Sequence, residues 1–453
     1  VVALVEEAGL AGRGGAAFST ARKIQAVVQG VAHSRRSPLV IVNAMEGEPA
    51  SVKDRVLLQL APHLVLDGAM VLAHTLGAAE VVVCIPRTPR TLAAVAAPAS
   101  PAVPVSAPSP STATSSAPSP SVPSGGAGSD ADPDFVPDTE AAARSLRAAI
   151  DERMATGTLS VPVTVARPPD RYVSGEGTAL ARWLGGGPAL PAFSRQRLAE
   201  SGVEGMPTLL DNAETVAHIG LVARFGPTWF RSLGTASDPG TALVTLSGAV
   251  ARTGVAEIPL GTTLADLLRC AGGPSEPLQA VLFGGYGGEW VPLERAMSMP
   301  LVHRRSPVGA GREPGPTLGP GIVVALPARA CGLAETARVV RYMAGEGAGQ
   351  CGPCAFGLPA LAGALEELAC PTSASTAEQA HANLARWTRQ IASRGACGHP
   401  DGVVRLVRSA VTTFGGDVDV HRAGGVCAHQ GRPAVLPVPA PGGSGEKGEA
   451  GGR

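Results

Sequence analysis

Two short apolar runs limit the fold more than any other feature of the chain. Leu39-Val40-Ile41-Val42-Asn43 and Val81-Val82-Val83-Cys84-Ile85 are too short for buried helices and apolar on both faces. That is the pattern of strands covered on both sides in a sheet. Residues 64–76 between them carry helical spacing, and residues 140–154 form an Ala- and Arg-rich helical stretch beyond the second run. Strand and helix in alternation predict an α/β layer to about residue 238.

The remainder divides by composition. Residues 96–137 are Ala, Pro, Ser and Gly with a single aromatic, Phe135, a mixture unable to offset the entropy of ordering. This predicts a disordered insertion in a strand-to-helix connection. From Thr241 to Pro300 short β-rich runs with one helical stretch follow in the order ββαβ, which predicts a small β-grasp module. Residues 334–343, 360–368, 380–391 and 402–412 have helical spacing, giving an α-helical third domain. The expected division is 1–238, 239–325 and 326–416, with a Pro/Gly-rich tail at 417–453 expected to be disordered.

A chain of 453 residues exceeds one typical core. Acidic and basic residues balance at 37 each, which excludes a field able to hold nucleic acid or an anionic membrane by charge alone. Every hydrophobic run is interrupted before the ~18 residues needed to span a bilayer, so a soluble, cytoplasmic protein is expected. The start at Val1, with a glycine-rich segment from Gly12, is expected of a fragment or processed form. Eight cysteines show no regular disulfide spacing, and Cys351-Gly352-Pro353-Cys354 favours metal-bound thiolates in a reducing compartment. By itself such a pair is also compatible with a redox dithiol or half of a zinc site.

The segment Gly12-Arg13-Gly14-Gly15-Ala16-Ala17-Phe18-Ser19-Thr20 precedes a helical stretch containing Lys23. Small residues there permit unusual φ angles and close backbone approach, so amides at a helix start can cradle a phosphate. After the first apolar run comes Asn43-Ala44-Met45-Glu46-Gly47-Glu48-Pro49, then Lys53-Asp54-Arg55. Polar residues at the C-terminal end of a strand are placed for a ligand in an open α/β sheet. Further on stand Tyr172-Val173-Ser174-Gly175-Glu176-Gly177-Thr178-Ala179-Leu180 and Pro207-Thr208-Leu209-Leu210-Asp211-Asn212-Ala213-Glu214-Thr215.

These four motifs, in this order, resemble those of the family of NADH-binding flavoprotein subunits of respiratory complex I (NADH:ubiquinone oxidoreductase), as a divergent member. The resemblance implies a Rossmann-like FMN/NADH domain, then a β-grasp (ubiquitin-like) soluble-ligand-binding module, then an α-helical iron–sulfur domain. It implies that Gly12, Arg13, Gly14, Gly15 and Lys23 surround the phosphate side of FMN, with Asn43, Glu46, Tyr172, Gly175, Glu176 and Asn212 around the rest. Glu48 and Phe18 would lie where nicotinamide stacks on the flavin. Hydride transfer needs stacking and orientation more than an acid or base, so no acid/base residue is assigned. Gly284-Gly285-Tyr286-Gly287-Gly288 is compatible with a ligand loop, and a structural turn is the favoured reading.

Departures from the family pattern are Met45 for Asp, Gly177 for the second Glu, and Asp211 for the first Asn. Ala348 stands where the family has its first cluster cysteine, leaving Cys351, Cys354 and the distant Cys397 as implied ligands of a [4Fe–4S] or [3Fe–4S] cluster. His399, Cys370 and Cys427 are candidate fourth ligands. The implied function is an NAD(P)H dehydrogenase passing electrons from FMN through the cluster to other redox subunits or to a ferredoxin-like or membrane-bound reductase. A non-catalytic relay or scaffold that has lost nucleotide binding is the alternative, and Met45 and Gly177 favour it. Loss of the acidic side chain at 177, with Arg182 nearby, predicts that NADPH serves nearly as well as NADH.

Overall fold

The computed structural model describes residues 1–87, 137–193, 196–304, 316–425 and 432–439. All but the last residue of the expected 96–137 insertion lie outside the described residues, as does Cys427.

Both apolar runs are strands. β1 (Leu39–Asn43) pairs in parallel with β2 (Glu80–Cys84) on one side and β4 (Thr208–Asn212) on the other, and β3 (Val163–Ala166) completes a four-stranded parallel sheet in the order β3-β2-β1-β4. Alternate residues point to opposite faces, and both faces are covered. Val40, Val42, Val81 and Val83 pack with helices α1 (Val2–Ala8), α2 (Thr20–Ser34), α4 (Pro62–Leu76), α5 (Thr139–Ala155) and α7 (Ala213–Phe230). Leu39, Ile41, Val82 and Cys84 pack beneath α6 (Gly177–Leu184). The short α3 (Lys53–Leu60) leads into α4. Glycine is required where α4 crosses α7: a Cβ on Gly68 would stand 1.8 Å from the Val216 carbonyl oxygen.

The second sheet has the order β6-β5-β9-β7-β8, formed by β5 (Thr241–Gly248), β6 (Gly254–Pro259), β7 (Leu278–Phe283), β8 (Glu289–Pro292) and β9 (Ile322–Pro327). β5 and β9 are parallel and the other pairs antiparallel, with α8 (Leu264–Cys270) and the single turn α9 (Leu293–Ala296) alongside. Val323 and Ala325 of β9 face the α8 side, and Ile322, Val324 and Leu326 face a helical bundle. That bundle comprises α10 (Gly332–Glu346), α11 (Leu358–Ala369), α12 (Ala374–Ile391), α13 (His399–Thr413) and α14 (Gly415–Arg422). Among the described residues no single helix is long and apolar enough to cross a membrane. The pair α3 and α4 passes by length and composition, bent by 94°, but α4 packs its apolar residues into the sheet core.

Of the tail expected to be disordered, residues 417–425 and 432–439 are described and pack against the bundle, and the rest lies outside the described residues. α14 continues the bundle, burying Val418 and His421, whose Nδ1 contacts the Leu368 carbonyl at 2.8 Å. Residues 432–439 then return across α10. The Glu335 carboxylate accepts the amides of Val435 (3.1 Å) and Leu436 (2.9 Å), and the buried Tyr286 hydroxyl donates to the Pro437 carbonyl. Proline and glycine dominate this region, but Val435-Leu436-Pro437-Val438 is apolar enough to bury, and Leu436 does so fully. Glu335→Ala would leave one buried and one partly buried amide without acceptors, at a cost on the order of 2 kcal/mol. A lowered denaturant midpoint and earlier cleavage within 432–439 are the expected outcomes.

Candidate functional site

Asn43, the last residue of β1, is the register partner of Asn212 at the end of β4. The chain order reverses at β1, with β2 and β3 to one side and β4 to the other. Such a switch point leaves a crevice beyond the strand C-termini. Here it is a cavity of about 470 Å³, within the ~300–1,000 Å³ range of small-molecule and cofactor sites. Gly14, Gly15, Asn43, Glu46, Glu48, Tyr172, Gly175, Glu176 and Asn212 all line it. The glycine loop reaches the wall without side chains. A Cβ on Gly14 would lie 3.4 Å from the Asn212 Cβ, and Gly15 has a φ of 108°, which favours glycine.

The polar walls are held by their own hydrogen bonds. Asn43 Nδ2 donates to the Gly175 carbonyl (2.8 Å), and Asn212 Oδ1 accepts the Glu214 amide (3.0 Å), capping α7. Glu46 accepts from the Ser51 hydroxyl, the Asp54 amide and Arg55 Nε (2.8, 2.9 and 2.8 Å). Glu176 caps α6 through the Thr178 and Ala179 amides. Glu48 accepts the Tyr172 hydroxyl at 2.6 Å and the Tyr286 amide at 3.1 Å, joining the first sheet to the 284–288 loop. These bonds fix the shape of the walls rather than poise a proton.

The floor is a buried ionic cluster whose Lys53 and Asp54 line the cavity. Lys53 Nζ is 2.9 Å from Asp54 and 2.8 Å from Glu214, and Asn212 Nδ2 donates to Asp54 at 2.7 Å. Burial alone would lower Lys53, but the two carboxylates more than offset it and hold it above its ordinary range. Burial, against the pull of Lys53 and with the push of Glu46, raises Asp54 to about 6. Glu214 is held below the carboxylate range, because Lys53, His218 and Arg13 together outweigh its burial.

Four residues expected around the ligand lie elsewhere. Arg13 is fully buried away from the cavity, its Nη2 donating to the Pro239 carbonyl (3.3 Å) and its Nη1 3.9 Å from Asp238. Burial, with Arg13 nearby, pushes His303 down to about 3 there. Lys23 is taken by Asp211 at 2.7 Å and the Leu210 carbonyl at 2.6 Å. The residue that departs from the family pattern at 211 thus captures the lysine expected at the phosphate. Gly12 closes its loop through a 2.9 Å bond to the Phe18 carbonyl, and Phe18 is 55% exposed. The cations that do line the cavity are Lys53 and Arg405.

Two other expectations change. A Cβ on Gly177 would meet Leu198 Cδ1 at 3.4 Å and Leu210 Cδ2 at 4.0 Å, and neither Gly177 nor Arg182 lines the cavity. Met45 is buried in the apolar layer with Leu39, Ile41 and Leu180. Neither departure therefore removes a group from the cavity wall. The 284–288 loop, read as a structural turn, is part of the wall through Gly284, Gly287 and Gly288. Gly284 and Gly285 have φ of 78° and 73°, and a Cβ on Gly285 would stand 2.8 Å from the Glu48 carboxyl carbon. The glycine spacing was visible in the sequence; its long-range partner was not.

On the opposite wall stands Cys397, just before α13. Cys354 accepts the Gly349 amide at 3.3 Å. Burial pushes Cys354 and Cys397 up, and neighbouring negative charge pushes both further: Cys351 acts on Cys354, and Glu176, Cys354 and Cys351 act on Cys397. The three sulfurs are therefore close enough to act on one another, and cationic iron there would stabilise the thiolates. Among the described residues no three side chains converge to hold a single metal ion, which disfavours zinc. A cluster gives each thiolate its own iron and needs no convergence on one point. Cys370 sits at the far end of α11, about 18 Å along the helix from the Cys354 end. Cys331 caps α10 through a 3.4 Å bond from the Ala334 amide, and Cys84 is buried in β2.

Residues 5–102 match the family model described as the Nuo51 FMN-binding domain, 243–288 an SLBB domain, and 334–421 the NADH-ubiquinone oxidoreductase-F iron-sulfur binding region. An NADH-quinone oxidoreductase subunit of Mycobacterium bovis is 28% identical over 442 residues, covering 96% of this chain and 87% of that protein. Its namesake in Buchnera aphidicola is 25% identical over 427 residues, covering 91% and 83%. Among solved structures, the NAD+-reducing [NiFe]-hydrogenase in the H2-reduced state superposes with a TM-score of 0.72 at 25% identity. That match covers 93% of this chain but only 62% of the hydrogenase chain.

Proposed function

We propose that this chain, which belongs to the family of NADH-binding flavoprotein subunits of respiratory complex I, is an oxidoreductase that takes electrons from a nicotinamide nucleotide through FMN to an iron–sulfur cluster. One observation carries the reading: the strand-end asparagines Asn43 and Asn212 and the cluster cysteine Cys397 line the same cavity. Bound there, FMN would supply the two-electron acceptor that releases electrons singly. The chain's own residues do the rest. Gly14, Gly15 and Gly175 let the backbone approach a flat ring, and Asn43, Glu176 and Asn212 are locked as walls. Glu48, held by Tyr172 and the Tyr286 amide, ties the sheet to the loop that closes the cavity. Such fixed walls orient reactants and keep water out.

The nucleotide follows from charge. Glu46, Glu48, Asp54, Glu176 and Glu289 line the cavity against Lys53 and Arg405, so an added 2′-phosphate meets an acidic surface. NADH is therefore the preferred donor, in place of the near-equal use of NADPH expected from the sequence. Because position 177 points at Leu198 and Leu210, Gly177→Glu is expected to leave the ratio of NADH to NADPH rates unchanged. A gain in NADH preference would show that residue 177 reaches the nucleotide after all.

The acceptor is another redox subunit, with peripheral attachment to a membrane through such partners. Steady-state reduction of a one-electron dye tests the dehydrogenase reading. Turnover with NADH is expected, and a flavin-loaded protein that reduces the dye with neither nucleotide would contradict it.

A further inference from the structure

Three cysteines come together at the proposed cluster, whereas a [4Fe–4S] cluster takes four protein ligands. We infer that His399 Nδ1 supplies the fourth, an assignment that rests on the cluster reading above.

The ring stands beside the proposed ligands. Its backbone amide donates to the Cys397 sulfur. A methyl on Gly347 would come within 2.4 Å of Cys354 Sγ and 3.7 Å of His399 Nε2, so the ring and that sulfur abut the same Cα. His399 and Cys397 line the cavity side by side.

The ring is also prepared for ligation. Nε2 contacts the Met343 carbonyl at 2.8 Å. A carbonyl can only accept, so Nε2 carries the proton and Nδ1 presents a bare lone pair. In metal-bound histidines the non-ligating N–H is commonly held by a backbone carbonyl in this way, fixing tautomer and ring orientation. Nδ1 itself is buried with no hydrogen-bond partner, in a residue only 9% exposed. Buried polar atoms are rarely left so, and an iron atom would satisfy this one. Ligation uses the lone pair and releases no proton from the ring. A neutral imidazole in place of a thiolate also leaves the cluster less negative and raises its potential.

The test uses the anaerobically purified full chain, with and without nitrogen-15 histidine, and the variants His399→Ala and His399→Cys. Pulsed EPR of the reduced wild type is expected to show a strongly coupled nitrogen that changes with the histidine label. His399→Ala should contain a [3Fe–4S] cluster by EPR and iron analysis. His399→Cys should restore a full [4Fe–4S] complement without the nitrogen coupling and at a lower midpoint potential. A wild-type [4Fe–4S] cluster with no histidine nitrogen coupling overturns the assignment alone, even if His399→Ala fails to fold. Wild-type protein that holds flavin but no iron overturns the assignment together with the cluster reading.

Discussion

Lys53→Met is expected to lower stability by about 3–5 kcal/mol, the cost of removing one partner from a buried ion pair. Lys53, Asp54 and Glu214 are all nearly inaccessible, and Lys53 Nζ lies within 3 Å of both carboxylates. Methionine fills the volume but leaves two carboxylates buried without their cation. Both would then titrate well above their unfolded values in the folded variant. Groups with raised folded pKa values contribute stability below their unfolded pKa and lose it as pH rises through the folded one. The deficit relative to wild type should therefore be largest at neutral pH and shrink toward pH 4. Flavin content should fall as well, because Asp54 holds Asn212 at the cavity floor. Denaturant midpoints of both proteins at pH 7 and pH 5 check this. An equal midpoint at pH 7 would show that the ion cluster contributes nothing net.

The second large effect is at the thiolates. Cys351→Ser, Cys354→Ser and Cys397→Ser are each expected to remove most of the iron, while Cys84→Ser and Cys270→Ser retain it. Cys84 is sealed in β2, where burial alone pushes its thiol up, and Cys270 ends α8 in the β-grasp module. Cys354 and Cys397 are instead pushed up by burial and by neighbouring charge, with Cys351 acting on both. Cys354→Ser should keep its FMN, since Cys354 does not line the cavity, so its dye reduction reports the cluster separately from the flavin. Iron analysis and EPR decide the matter, and full iron in Cys397→Ser would show that the distant ligand has been misassigned.

The architecture was legible because its signals are local. β1 and β2 announce themselves as short runs of β-branched residues, and the bundle helices by apolar spacing. The strand-end residues Asn43 and Asn212 were legible from position, since ligands gather at the C-terminal ends of parallel strands. What escaped depends on direction and distant partners. Spacing does not say that Gly177 faces Leu198, or that Met45 turns into the apolar layer beside Gly175. Arg13 and Lys23 were drawn off by Asp238 and Asp211, partners far away in sequence. The 432–439 segment was hidden by composition, because prolines around one buried leucine resemble a loose tail until Glu335 supplies its acceptors. His399 was one of three candidate fourth ligands in the sequence, and its orphaned Nδ1 beside Cys397 sets it apart from the other two.

The central claim is that one cavity joins a flavin to an iron–sulfur cluster, and the absorbance spectrum of anaerobically purified protein before and after NADH tests it most directly. The account predicts flavin bands over a broad iron–sulfur background, with NADH bleaching the flavin and then the cluster. A colourless protein, or a bound flavin that NADH leaves oxidised, would contradict it.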